Sequence, residues 1–308
     1  MHKSVLLEES IEYLNIVSSG IYVDATLGYA GHSSEILKRI KSGFLFAFDQ
    51  DEDARCFSNS KLGKISDRYE IIPTNFVNMK RELSNRNIQE VDGVLFDLGV
   101  SSPQLDQADR GFSYKMDAKL DMRMDMSSSF SAYDVVNNYS YDELVNIFYK
   151  YGEESYAKPI ARRIVSVRED KKIETTLELV DIIKSVYPAK KMRDKHPAKK
   201  VFQAIRIEVN KEFDVFEKAL EDSISMLKVG GRICVITFHS LEDKICKNIF
   251  NKYTKIDDNL KHLPIIPDDK LPKYRIVANN IKPTEEELSV NPRSRSAKLR
   301  VIERIKGW

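Results

Sequence analysis

Short apolar runs recur along the first third of the chain, and each ends in turn residues before a segment with helical spacing begins. Apolar runs of this kind, bounded by turn signals, indicate buried strands. We expect strands at residues 21–23, 44–48, 69–72 and 91–96. Because strands that alternate with helices favour parallel pairing, the pattern predicts an α/β fold with a doubly wound sheet.

The strand pattern resumes only after roughly a hundred residues, which is far longer than one crossover helix needs. Apolar residues at helical spacing run through this interval, so it predicts an inserted, mainly helical domain. The sheet then continues with an amphipathic helix, a buried strand and a terminal pair of strands, expected at 213–227, 232–238, 274–277 and 298–302.

We therefore predict two domains in this chain. The first is discontinuous and spans residues 1–106 and 213–308, and the second is the insert at 107–212. A length of 308 residues with 42% hydrophobic residues allows a sizeable core in such an arrangement.

The net charge is only +2, so any affinity for nucleic acid has to come from local clusters of basic residues. Cys56, Cys234 and Cys246 lie far apart without metal-ligand spacing, which argues against zinc and disulfides and suits a reducing cytosol. No signal peptide and no apolar run of membrane-spanning length is visible. We expect a soluble, cytoplasmic protein.

A turn with two glycines, Gly28 and Gly31, follows the first predicted strand. Glycine lets backbone approach a ligand closely because no Cβ intervenes, although a plain turn is the simpler interpretation. Ser33 and Ser34 are candidate N-caps for the helix that follows. The G-x-G-x-x-G pattern of dinucleotide-binding proteins is absent, which counts against a dehydrogenase that uses a nicotinamide cofactor.

Acidic and aromatic residues end the next strands. Asp49 follows the second strand about 20 positions after the glycine turn, where a carboxylate can bind ribose hydroxyls. Asp51 and Asp53 are better placed to begin the next helix. Phe76 follows the third strand and could cover an adenine ring, although a core position is the commoner role for an aromatic residue.

Asp97 follows the fourth strand, within an unbroken run that reaches Asp106 and reads DLGVSSPQLD from Asp97 onward. Ligands of open α/β folds bind in the crevice outside the carboxyl ends of the strands, so Asp97 is a candidate functional residue. The alternative is that its carboxylate only caps the turn.

Three charged segments do not follow a packing pattern: 117–125, 190–200 and 291–296. Basic residues separated by small polar residues suit contacts with phosphate groups. For the lysine-rich segment at 190–200, a solvated charged surface is an equally good interpretation.

With these residues assembled, the chain resembles the MraW family over nearly its whole length. The resemblance rests on five motifs that occur in the family's order: Asp97 to Leu105, Leu120 to Asp125, His196 to Lys199, Phe202 to Ile207 and Thr237 to Asp243.

The resemblance implies an S-adenosylmethionine-dependent methyltransferase with a Rossmann-like sheet and a helical substrate-recognition insert. It also implies methylation of the exocyclic N4 of a cytidine in the decoding region of 16S rRNA, within the small ribosomal subunit. Matching motif by motif, the cofactor residues would be Ala30, Gly31, His32, Asp49, Phe76, Asp97 and Gln104.

The chain departs from the family's usual pattern at two places. Ala30 stands where a glycine is usual, so its methyl group is expected to narrow the approach to the cofactor slightly. Ala118–Lys119 replaces the usual Gly–Pro before Leu120, which alters the expected loop.

Methyl transfer from a sulfonium is an in-line displacement, so the protein acts chiefly by holding donor and acceptor together. The cytosine amine is a poor nucleophile, and we expect the turn at Asp97 to line the transfer site and orient the extruded base. Candidate RNA contacts are Arg123, Lys199, Lys200, Arg206, Arg293 and Arg295. His239 is a further candidate, with a structural capping role as its alternative.

Two other classes of function stay open. One is an RNA-binding assembly factor with a vestigial cofactor pocket, against which the intact glycine turn, Asp49 and Asp97 argue. The other is a methyltransferase that acts on DNA or protein, since only the family resemblance points to rRNA. We expect no membrane partner, and the sequence does not decide between a monomer and a homodimer.

Overall fold

The computed structural model describes residues 4–99, 110–188, 196–256, 259, 262 and 266–307. The chain divides into two compact units, which we call the sheet unit (Met1–Gly99 with Phe213–Trp308) and the helical unit (Val100–Glu212). The predicted domain boundary at residues 106 and 107 lies outside the described residues, as does Gln104, so both stay predictions.

Seven strands in the described residues form one sheet, in the order β3-β2-β1-β4-β5-β7-β6. The strands are β1 (Ile21–Asp24), β2 (Phe44–Phe48), β3 (Tyr69–Ile72), β4 (Val91–Asp97), β5 (Leu227–Thr237), β6 (Tyr274–Ile281) and β7 (Lys298–Arg304). Pairing is parallel from β3 to β5, whereas β7 is antiparallel to both β5 and β6. The predicted doubly wound α/β sheet is confirmed.

The strand order reverses between β1 and β4, which lie side by side at the centre of the sheet. Val23 of β1 is the register partner of Phe46 on one side and of Val94 on the other. At such a reversal the connections leave in opposite directions, which opens a crevice at the carboxyl ends of the two strands.

The described helices are α1 (Leu7–Leu14), α2 (Gly31–Arg39), α3 (Glu52–Leu62), α4 (Met79–Asn85), α5 (Ala132–Asn138), α6 (Tyr141–Lys150), α7 (Ala157–Asp170), α8 (Thr176–Val186), α9 (Ala198–Asn210), α10 (Glu212–Met226), α11 (Ser240–Thr254) and α12 (Glu285–Val290). None of these helices is both long enough and apolar enough to cross a membrane.

Hydrophobic cores cover both faces of the sheet. Val94 and Phe96 of β4 belong to one core, and Leu95, which points to the opposite face, belongs to the other. All three side chains are fully buried. Coverage on both faces explains why the central strands are continuously apolar rather than alternating.

The helical unit has its own core, built from α5 to α9. Three of its helices begin with a capping box, at Ser131, Ser140 and Thr175, in which the N-cap side chain and an acidic residue three positions later bind each other's backbone. These local signals explain why the insert is helical, as its apolar spacing predicts.

Two predicted boundaries are wrong. Neither Ser33 nor Ser34 caps α2, which begins at Gly31 after Ala30 in the left-handed conformation. Strand β5 begins at Leu227 rather than at residue 232, because Leu227 already pairs with Val91 and a register shift follows within the strand. Asp51, by contrast, caps α3 as predicted.

Candidate active site

The carboxyl ends of β1 and β4 are tied together by a buried carboxylate and a threonine. Asp24, the last residue of β1, accepts hydrogen bonds from Ser33 Oγ (2.6 Å) and from the Thr26 backbone N–H (3.1 Å). Thr26 Oγ1 in turn accepts from the backbone N–H of Asp97 at 2.7 Å. Burial raises the pKa of Asp24. The strand ends are therefore held in place before any ligand binds.

The glycine turn is anchored to the end of β2. Gly28 adopts a positive φ of 48°, and its backbone N–H donates to Asp49 Oδ2 at 2.9 Å. Asp49 Oδ1 accepts from the backbone N–H of Asp51, also at 2.9 Å. Burial raises the pKa of Asp49 to about 6. Asp49 thus shapes the turn and keeps lone pairs for further donors, since each carboxylate oxygen can accept twice.

Ala30 also has a positive φ, of 53°, and its side chain is fully buried within the core on that face of the sheet. The methyl group that distinguishes this chain from the usual glycine therefore packs against protein. The expected narrowing of the cofactor approach stays a prediction.

Position 31 is restricted to glycine by Ser4, which lies close to it. An ideal Cβ at this position would lie 1.7 Å from Ser4 Oγ and 2.9 Å from Ser4 Cβ. The N-terminal segment therefore approaches Gly31 closely, and a contact of Gly31 with the cofactor stays a prediction.

His32 is buried between the N-terminal segment and Asp97. Its Nε2 lies 3.1 Å from the carbonyl oxygen of Val5, and its Nδ1 lies 3.7 Å from Asp97 Oδ2. Burial lowers the pKa of the imidazole to about 4, although the Val5 carbonyl opposes this shift. The ring is therefore neutral at pH 7.

Asp97 is the last residue of β4, and its side chain is 25% exposed. Its Oδ1 is buried and has no hydrogen-bond partner among the described residues. Burial, together with the carboxylates of Asp24, Glu242 and Glu287, raises the pKa of Asp97 to about 8. A buried oxygen without a donor is costly, so this atom is suited to a ligand that brings one.

His239 serves as the N-cap of α11. Its Nδ1 accepts from the backbone N–H of Glu242 at 3.4 Å, and Glu242 Oε2 accepts from the backbone N–H groups of Phe238 and His239. This reciprocal capping accounts for the histidine and favours the structural alternative. A contact with RNA stays a prediction.

Phe76 begins a short 3-10 turn after β3, and its ring packs edge-on against Phe96 at a centroid distance of 5.7 Å. The ring is only partly buried, so it contacts the core and keeps some surface near the strand ends.

Two of the candidate RNA-binding arginines in the helical unit are engaged in ion pairs. Arg206 donates to both carboxylate oxygens of Glu212, at 2.8 and 2.9 Å. Arg123 binds Asp121 in the same two-pronged way, at 2.8 and 2.6 Å. Both guanidinium groups therefore stabilise the unit itself.

The remaining RNA candidates are surface residues. Lys199 and Lys200 are both exposed, and Lys200 donates to the carbonyl of Glu153 at 2.5 Å. In the sheet unit, Arg293 and Arg295 are exposed on the 3-10 turn Pro292–Ser296.

Sequence reasoning missed three parts of the site: Asp24, Glu287 and the segment Ser4–Leu6. Asp24 had a signal, since it is an acidic residue that ends an apolar strand, as Asp97 does. The sequence carried no local signal for the roles of Glu287 and the N-terminal segment, because these roles depend on contacts between opposite ends of the chain.

Comparisons of the sequence with known proteins identify the family of the chain. A model described as the MraW methylase family matches residues 1–305. A protein of Exiguobacterium sibiricum named ribosomal RNA small subunit methyltransferase H is 52% identical over 307 residues, which cover 99% of this chain and 98% of the relative. A protein of the same name from Clostridioides difficile is 53% identical, with 99% of both chains covered. The chain therefore belongs to the MraW methylase family.

Proposed function

We propose that this methyltransferase methylates the exocyclic N4 of a cytidine in the decoding region of 16S rRNA, with S-adenosylmethionine as the methyl donor. The observation that carries the proposal is the buried Asp97 Oδ1 beside the glycine turn, which has no hydrogen-bond partner among the residues that the structure describes. The names of the relatives support rRNA of the small subunit as the substrate. The N4 position and the decoding region are implied by the sequence motifs.

The residues present fit the proposed donor chemically. S-adenosylmethionine carries a sulfonium, an ammonium group and two ribose hydroxyls, all of which suit carboxylate partners. Asp49 can accept from the hydroxyls with its remaining lone pairs, at the strand end where a ribose is expected. Asp97 lies among other carboxylates, whose negative potential favours a cation.

In the proposed reaction the bond between sulfur and the methyl carbon breaks as a bond from N4 to that carbon forms. The sulfonium would become a neutral thioether, and the proton lost by the amine would pass to solvent. The residues around Asp97 contribute chiefly by holding the reacting groups in line. An ionised Asp97 can accept a hydrogen bond from the amine, which localises the nitrogen lone pair that attacks.

The helical unit is the proposed RNA-recognition part of the enzyme. A base inside a duplex cannot reach a crevice at strand ends, so the cytidine has to be extruded or unpaired. Phosphate contacts then hold the RNA, with Lys199, Arg293 and Arg295 as the exposed candidates.

The test is incubation with labelled S-adenosylmethionine and small ribosomal subunits that lack this methylation, followed by nucleoside analysis. We expect label in N4-methylated cytidine with the wild-type protein and a large loss of turnover with D97N. Label in another nucleoside would overturn the proposed target. Stoichiometric transfer, or none despite donor binding, would favour the assembly-factor alternative.

A further inference from the structure

The N-terminal segment Ser4–Leu6 is part of the wall of the proposed site. Ser4 packs on Gly31, and the Val5 carbonyl contacts His32. The backbone N–H of Leu6 donates to Glu287 Oε1 at 3.1 Å, and Leu6 itself is fully buried with a positive φ of 49°. Three consecutive residues are thus each held by a different contact, so the position of the Val5 carbonyl is well determined.

The Val5 carbonyl decides which nitrogen of His32 carries the hydrogen. A carbonyl oxygen only accepts hydrogen bonds, so Nε2 is the protonated nitrogen. Because the ring is neutral, Nδ1 is then left with a lone pair, and this atom faces Asp97 Oδ2 at 3.7 Å. That separation is longer than a hydrogen bond, so a bond between these atoms requires the two side chains to move closer together.

Within the described part of the chain, the groups that act on Asp97 from the surrounding elements favour its protonated form. Asp24 at the end of β1, Glu242 on α11 and Glu287 on α12 bring negative charge. His32 on α2 brings a neutral ring with an acceptor nitrogen. A protonated Asp97 can donate to that acceptor, whereas an ionised one would face a lone pair.

We propose that His32 is a positioning residue. In the free enzyme its Nδ1 accepts a hydrogen bond from the Asp97 carboxyl group and so holds Asp97 in its protonated form. Binding of the cationic methyl donor then displaces the Asp97 proton to solvent. This inference rests on the proposed function. The carboxylate that forms then pairs with the positive charge of the donor and is ready to accept from the cytosine amine.

The proposal predicts that binding of the methyl donor depends on pH. If donor binding requires loss of one proton from Asp97, the affinity for S-adenosylmethionine rises by about tenfold per pH unit below the pKa of that group and levels off above it. The raised pKa of Asp97, about 8, places this rise in the neutral range.

The experiment measures the affinity of the full-length protein for S-adenosylmethionine from pH 6 to pH 9, and the number of protons released at pH 7, by calorimetry in buffers of different ionisation enthalpy. We expect release of close to one proton for wild type and none for D97N. A wild-type affinity that does not change with pH would overturn the proposal.

Two variants of His32 separate its role from that of a space-filling side chain. H32Q can still donate to Val5 and accept from Asp97, so we expect the wild-type midpoint of the pH dependence. H32L is similar in bulk but has no acceptor, and an unsatisfied carboxyl O–H is costly, so the midpoint should fall by about one pH unit. Equal midpoints for wild type, H32Q and H32L would overturn the assignment.

A measurement on the unmodified protein keeps the test independent of folding defects in the variants. Nitrogen-15 NMR of the imidazole rings should show His32 neutral at pH 7 with hydrogen on Nε2, its signals assigned with H32Q. Hydrogen on Nδ1 would overturn the proposal. Intact rRNA methylation with pH-independent donor binding would refute the role of His32 alone, whereas absence of any donor binding would refute the proposed function as well.

Discussion

Ser4 and Gly31 are in such close contact that no side chain fits between them. An ideal Cβ on Gly31 would lie 1.7 Å from Ser4 Oγ and 2.9 Å from Ser4 Cβ. Rotation of the Ser4 side chain could move its Oγ away from a Cβ on Gly31, but it would leave the Ser4 Cβ in place. The first residue of α2 is therefore a glycine because the N-terminal segment crosses it.

We predict that G31A destabilises the protein by about 1–3 kcal/mol, the usual cost of an overpacked site. The double variant S4G/G31A should recover most of this loss, because removal of the serine side chain removes both close atoms. Chemical denaturation of the three proteins measures the effect. If S4G/G31A is no more stable than G31A, Ser4 does not pack against Gly31 as described.

The raised pKa of Asp97 predicts that the stability of the ligand-free protein decreases as the pH rises. An aspartate that titrates at about 8 in the folded state and near 3.8 when unfolded binds its proton more tightly in the folded state. Stability contributed by the protonated group is therefore present below pH 3.8 and is lost as the pH rises to about 8.

D97N removes this titration, so we expect it to be more stable than wild type at pH 8.5, by more than about 1 kcal/mol, the equivalent of roughly one pKa unit. The difference should shrink steadily towards pH 4.5. Thermal melts of both proteins without ligand, across this range, provide the measurement. A constant difference at all pH values would contradict the raised pKa.

Ala30 has two opposing contributions to stability. Its positive φ of 53° strains an alanine by roughly 1–2 kcal/mol, whereas burial of its methyl group stabilises by about 0.8 kcal/mol. We predict that A30G changes the free energy of unfolding by less than about 1 kcal/mol. Because the methyl group packs into the core, donor affinity should also stay within about twofold of wild type. Calorimetry that shows markedly tighter binding by A30G would mean that the methyl group does obstruct the ligand.

Charge reversals should separate RNA contacts from structural ion pairs. We predict that K199E and R295E weaken binding to small ribosomal subunits and reduce the slope of the salt dependence by about 1 for each lost phosphate contact. Donor affinity should not change. K158E makes the same charge change on an exposed lysine of α7 outside the candidate segments and is the matched control.

Arg206 is predicted to behave differently from these surface residues. R206A leaves Glu212 without its two-pronged partner, and both side chains are largely buried, at 15% and 14% exposure. The main effect should therefore be a lower melting temperature of the protein. If R206A binds RNA more weakly while its melting temperature is unchanged, Arg206 contacts the RNA directly.

Local patterns in the sequence predicted the elements well. The first four strands begin and end within a residue or two of their expected positions, because buried parallel strands are continuously apolar. Asp51 was predicted to begin a helix and does so, because an N-cap binds backbone within its own turn. Asp49 was predicted at the end of β2, and the structure adds its bond to Gly28.

The errors came where a distant contact competes with a local signal. Ser33 has a good capping side chain, but its hydroxyl binds buried Asp24 instead. Nothing in the sequence indicated that Ser4 lies beside Gly31, and cofactor binding at Gly31 stays a prediction. The sequence left two roles open for His239, helix capping and contact with the substrate. The position of Glu242 in the structure favours capping.

The sequence by itself determined the α/β class, the order of elements, the strand-end carboxylates Asp49 and Asp97, and the family motifs, because these depend on spacing and on the chemistry of neighbouring residues. The tertiary structure alone decided the electrostatics of the site. Leu6 and Glu287 are 281 positions apart, yet their hydrogen bond helps to place the Val5 carbonyl that orients His32. The pKa of Asp97 depends on burial and on carboxylates from three other elements, and no local pattern encodes distances between them.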